Sequence, residues 1–171
     1  MSRSLAPTVA VSVALVCLAS SNATAQTAKD LIGTWTLVSS IAQYGSTRVD
    51  TFGSNPSGTL VFGSDGRYAL VFMRSGLPKI ASNDRTLQTP HESRAIGQGV
   101  IAHFGTYTVD QADKVLVLHI ERSSFPNWNG MEQRRTFSLT GDELTYTSPG
   151  STGIVTRVTM RRPSTQQATL P

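Results

Sequence analysis

The chain has 171 residues, 39% hydrophobic and 15% charged, with 15 Lys and Arg against 11 Asp and Glu for a formal net charge of +4. That length supports one domain with its own core; the composition excludes a disordered chain, and the mild basicity gives no footprint for nucleic acid. With Cys17 as the single cysteine, no intrachain disulfide can form.

Residues 1–25 carry the pattern of a secretory signal peptide: Arg3, an apolar run from Ala6 to Ala19, and the small-residue site Ala23-Thr24-Ala25. The run is shorter than the roughly 20 residues a bilayer span needs, so no stable membrane anchor is expected after leader cleavage. Leu15-Val16 before Cys17 speaks against lipid attachment, where a small residue is wanted. The mature chain is expected to begin at Gln26, to be secreted or periplasmic, and to hold 14 basic against 11 acidic residues. These basic residues are scattered, not interleaved with aromatics.

Next come short strands punctuated by glycine turns. Gly33 to Ile41 alternates, with Trp35, Leu37 and Ile41 on one face and Thr34, Thr36 and Ser40 on the other. The glycine lets the strand bend while the indole closes one end of a barrel. A polar loop from Tyr44 to Pro56 leads to strands at Gly58–Gly63 and Arg67–Arg74, joined through Ser64-Asp65-Gly66, which has hairpin chemistry. Ser75 to Thr89 reads as a long loop over the barrel mouth. Thr89 as N-cap, Pro90 at the first position and Glu92 completing a capping box start a short helix, with Ile96, Val100 and Phe104 repeating every fourth residue as an apolar stripe.

Strand rhythm then returns at Gly105–Asp110, Val115–Ser123, Glu132–Leu139, Glu143–Ser148 and Ile154–Arg161, ahead of a polar, aperiodic tail from 163 to 171 that is expected to be disordered. About eight strands with short connections predict an all-β, antiparallel up-and-down barrel over 26–162, interrupted by one inserted helix.

Several segments bear a family resemblance: Leu31-Ile32-Gly33-Thr34-Trp35, Pro56-Ser57-Gly58-Thr59-Leu60, Gly66-Arg67-Tyr68, Phe104-Gly105-Thr106-Tyr107, His119 to Ser123, Pro126-Asn127-Trp128 and Arg135-Thr136-Phe137. Together they resemble the bacterial lipocalin-like domain family, a calycin-type small barrel. The resemblance implies a lipocalin-like barrel with a ligand cavity, and an arginine from the last strand stacked on Trp35, for which Arg157 and Arg161 stand in place.

Two strands carry candidate chemistry. His119 and Glu121 lie two apart and share a face, an acid/base pair if that face is inward; Leu116, Leu118 and Ile120 occupy the other face, and alternation leaves the choice open. On the next strand Phe137 and Leu139 mark the buried parity, which carries Gln133 and Arg135 inward, and a buried guanidinium demands an anionic or carbonyl partner, either Glu121 or a ligand. Tyr68, Phe72 and Tyr107 read as an aromatic wall, and Trp128 as a lid or rim contact.

His91, His103 and His119 are too far apart for a local metal motif, and neither a nucleophile elbow nor a phosphate loop is present. No cofactor is expected. The sequence points to a barrel binding a small hydrophobic molecule with a polar or anionic group directed at Arg135; the alternative is a cofactor-free isomerase or cyclase using His119 and Glu121 in the same cavity.

Overall fold

The computed structural model describes residues 27–163, so the expected leader over 1–25 and, apart from Pro163, the tail expected to be disordered lie outside the described residues. A single helical turn, α1 (Ala28–Leu31), precedes β1 (Gly33–Tyr44), β2 (Thr47–Asp50), β3 (Ser57–Phe62) and β4 (Arg67–Met73). Helix α2 (Pro90–Gly99) then leads into β5 (Val100–Asp110), β6 (Val115–Ser123), β7 (Glu132–Thr140), β8 (Glu143–Pro149) and β9 (Val155–Arg161). All pairings are antiparallel between neighbours, and β1 also pairs with β9, so eight of the nine strands close a barrel. The extra strand is β2, which Gly45 (φ +59°) turns back onto the end of β1 inside what reads as loop.

Each of the eight strands of the closed ring turns its apolar parity inward, which is how a meander with no disulfide builds a core, while β2 stays exposed. Leu60 and Phe62, Tyr68, Leu70 and Phe72, Leu116, Leu118 and Ile120, and Leu144 and Tyr146 are all buried. A bulge between Leu37 and Ser39 in the β1–β9 register sends Val38 outward and reverses the alternation beyond it. Ser40 and Ala42, not Ile41, therefore face the interior.

One end of the barrel is closed by Trp35, fully buried, whose Nε1 donates to the Leu31 carbonyl at 2.8 Å. The guanidinium stacked on its indole, 4.2 Å from the ring centre, belongs to Arg162, with Nη1 donating to the Ile32 carbonyl at 3.0 Å. Arg157 and Arg161 point outward instead, Arg161 toward Glu143 at 3.2 Å, because Val158 and Met160 claim the inward parity of β9 and only the residue past the strand can fold over the end. Gly33 is required there by its φ of +122°, and a Cβ would also crowd Arg162 Nη1 at 3.0 Å.

The helix also ends earlier than its apolar repeat suggests. Val100 and Phe104 belong to β5, where Phe104 is exposed, because pairing of Met73 to Arg67 with Val100 to Thr106 outweighs the fourfold spacing. The capping box is formed, with Thr89 Oγ1 accepting from Glu92 N at 3.2 Å and Glu92 Oε2 accepting from Thr89 N at 2.7 Å.

Candidate functional site

At the end opposite Trp35 the barrel opens into a cavity of about 450 Å³, within the range of about 300–1,000 Å³ common for small-molecule sites. Leu70 and Phe72 from β4, Ile101 and His103 from β5, and Arg135 from β7 line it, with Ser40 and Ala42, Ser148, and Thr156 and Val158 contributed by β1, β8 and β9. Phe52, Phe125 and Trp128 stand at the mouth, along with Gly97 and Gln98 from the end of α2. The loop from 75 to 89 supplies no lining residue; it is drawn toward α2, where Ala81 N donates to Glu92 Oε1 at 2.9 Å.

Arg135 is the unusual member. It is 2% exposed, and among the described residues no carboxylate reaches the barrel interior, since the one buried acid, Glu92, is held on α2. Its Nη2 donates to Gln133 Oε1 at 2.7 Å and lies 3.4 Å from His103 Nε2, while the Tyr146 ring centre is 5.1 Å from the guanidinium carbon. Among the described residues neither Nε nor the Tyr146 hydroxyl has a hydrogen bond of good geometry, and both atoms are sealed from solvent; the two groups still interact, which works against burial by raising the arginine's pKa and lowering the tyrosine's. Burial lowers the arginine's pKa, opposed by Tyr146 and Tyr68, but a guanidinium keeps its proton at neutral pH. The cation is therefore solvated by neutral dipoles alone.

The dipoles form a line across the barrel. Burial, with help from the Arg135 charge, pushes His103 down to about 3, so its imidazole is neutral. An arginine only donates, so Nε2 is the accepting nitrogen and Nδ1–H donates to the Tyr68 oxygen 2.9 Å away. The Tyr68 proton is left available, and burial raises the pKa of that phenol; the same cause pushes Tyr146 up to about 12, opposed by Arg135. Trp128 packs its ring against His103 at 6.0 Å in an edge arrangement.

Of the residues singled out from sequence, Phe72, Trp128 and Arg135 line the cavity. Tyr68 and Gln133 stand one hydrogen bond behind it, through His103 and Arg135. Tyr107 lies in the core near the closed end, its ring 4.6 Å from Phe62 and its hydroxyl donating to the Gly63 carbonyl at 3.0 Å. His119 and Glu121 are not in the cavity. Leu116, Leu118 and Ile120 take the inward parity of β6, leaving His119 facing Glu132 at 3.5 Å and Glu121 paired with Arg67 at 2.9 Å, both outside.

Pairing with β5 and β7 holds the strand in that assignment, and the β5–β6 register then shifts at Gly105, leaving Glu121 opposite no residue in a bulge. A Cβ on Gly105 would come 1.9 Å from the His119 carbonyl oxygen, so the close approach requires glycine. Arg67 holds the Glu121 carboxyl below the usual range, and Glu121 is not the partner of Arg135. Nor does His103 replace His119 as a base: a group titrating at about 3 is poorly matched to proton transfer near neutral pH.

His103 is the residue that sequence reading missed. The signal was present, since Tyr107 and Val109 set an inward parity that runs back through Gly105 to His103 and Ile101, but it was masked by the helical spacing of Ile96, Val100 and Phe104.

The profile of the lipocalin-like domain family matches residues 32–166. Among solved structures, a redesigned beta barrel is 14% identical with a TM-score of 0.44, over 82% of this chain and 98% of that one. No curated protein matches.

Proposed function

This chain belongs to the lipocalin-like domain family, and from that premise we propose that its cavity binds a small, mostly apolar molecule whose anionic group is directed at Arg135. The observation that carries this reading is a buried guanidinium that lines the cavity and that no carboxylate among the described residues pairs with. A neutral ligand displacing water from the cavity would leave that charge still less compensated, whereas an anion supplies the missing partner and a charge-assisted hydrogen bond. The apolar remainder of the ligand gains about 25 cal/mol for each Å² taken from water against Leu70, Phe72, Ile101 and Trp128. The leader pattern supports export, so binding takes place in a periplasm or outside the cell.

Titration with a hydrophobic carboxylate tests the anchor. Arg135→Met is expected to weaken binding at least tenfold, about 1.4 kcal/mol, and an unchanged affinity would remove Arg135 from the site. Native mass spectrometry of protein purified from its own host identifies which molecule travels with it; recovery of only neutral molecules would count against the anionic reading.

A further inference from the structure

The cavity is two-faced. Three consecutive strands of the ring, β8, β9 and β1, present hydroxyls to it through Ser148, Thr156 and Ser40, set among the small apolar groups Ala42 and Val158. Across the barrel, β4 and β5 present Leu70, Phe72 and Ile101, and two further rings join them: Phe52 meets Phe72 edge-on at 5.9 Å and Trp128 meets His103 at 6.0 Å. One side is therefore mainly aromatic and aliphatic, with Ser124 and Gln98 beside it; the other carries the three hydroxyls among Tyr44, Pro149 and Ile154, and Arg135 on β7 lies between them.

Two of the hydroxyls retain unused bonding capacity. Thr156 Oγ1 donates to the Ser148 carbonyl at 3.3 Å and keeps its lone pairs, and the Ser148 hydroxyl makes no hydrogen bond among the described residues; Ser40 is engaged with Thr51, whose Oγ1 lies 2.7 Å from its Oγ and 3.0 Å from its carbonyl oxygen. A ligand that is apolar all round would strip water from this wall and return nothing, at a desolvation cost that grows with each hydroxyl left unpaired. A flexible chain also loses rotational freedom when one edge must face hydroxyls and the other must face rings, while a rigid ring system holds the two in fixed relation.

We infer that the ligand is an oxygenated ring carboxylate: a flat fused-ring or aromatic acid, its carboxylate at Arg135, its face on the Phe52–Phe72–Trp128 wall and a hydroxyl or carbonyl oxygen on the edge turned to Ser148 and Thr156. This rests on the anionic reading above and narrows it. The aromatic wall selects for the ring, the guanidinium for the acid, and the opposite wall for the oxygen.

Calorimetric titration of the wild-type protein with 2-naphthoate, 6-hydroxy-2-naphthoate, methyl 6-hydroxy-2-naphthoate and decanoate separates the parts. The hydroxynaphthoate is expected to bind at least fivefold tighter than 2-naphthoate, and 2-naphthoate tighter than decanoate. In a Ser148→Ala/Thr156→Val double variant the advantage of the hydroxyl should disappear while 2-naphthoate binds tighter than to the wild type, since no hydroxyl is left to desolvate, with thermal melting used to verify that the variant folds. Equal binding of the two naphthoates, survival of the hydroxyl advantage in the double variant, or preference for decanoate overturns the oxygenated-ring assignment and leaves the anionic reading standing. Binding of the methyl ester as tightly as its acid overturns the anionic reading, and the ring assignment with it.

Discussion

Both ends of the barrel place an arginine against the interior, and the two are treated in opposite ways. At the closed end Arg162 lies over Trp35 and donates to the backbone carbonyls of Ile32 and Asp30, which are the orphan acceptors left by the turn at α1. At the open end Arg135 is buried more deeply and satisfied less, holding one glutamine, one long contact to a neutral histidine and a tyrosine ring. A cation whose groups are matched by the protein serves stability; a cation left without a counter-ion at a cavity wall is arranged for something that arrives from outside.

That contrast is broken or sharpened by measurement. The largest effect is expected at the closed end, where Trp35→Ala removes the fully buried indole and should cost about 3–5 kcal/mol in urea denaturation. Next is acid. Because the folded-state pKa of His103 lies near 3, below its ordinary 6.5, the unfolded chain binds more protons between those values. Its contribution to stability is complete above about pH 6.5 and is lost as pH falls toward 3, at up to about 1.4 kcal/mol per pH unit. His103→Gln should flatten that part of the stability-versus-pH curve, and an unaltered slope would show that the histidine is not held neutral.

Arg162→Ala should destabilise by about 1–3 kcal/mol through its lost carbonyl and indole contacts, with ligand affinity unchanged. Arg135→Met should do the reverse, losing affinity while stability holds or rises by about 1 kcal/mol, because a buried charge without a counter-ion gives way to a chain of similar volume. If both substitutions destabilise alike in equilibrium unfolding, the two arginines are structural equivalents and the contrast fails. The smallest effects belong to His119→Ala and Glu121→Ala, which should leave melting temperature and ligand titration unmoved, as their side chains are 49% and 43% exposed on the outer wall.

How much of the site was legible follows from how one-sided each strand is. On β7 the apolar residues Phe137 and Leu139 share one parity against Ser138 and Thr140, so the inward course of Gln133 and Arg135 can be read directly. On β6 both parities are apolar, Val115 and Val117 against Leu116, Leu118 and Ile120, and local pattern cannot choose; only pairing with β5 and β7 placed His119 outside. Ser40 was assigned to the wrong face because the bulge after Leu37 is a register event between β1 and β9, fixed by a strand more than a hundred residues away.

By itself the sequence determined the strand count of the barrel, its antiparallel order, the Gly33–Trp35 closure and the capped start of α2, since these depend on alternation, turn chemistry and neighbours close along the chain. Tertiary structure decided which arginine covers Trp35, where α2 gives way to β5, and that His103 meets Arg135 and Tyr68. Those outcomes are set by long-range register and by the shape of a closed ring, and a one-residue slip in register moves a side chain from the cavity to solvent without altering any local preference.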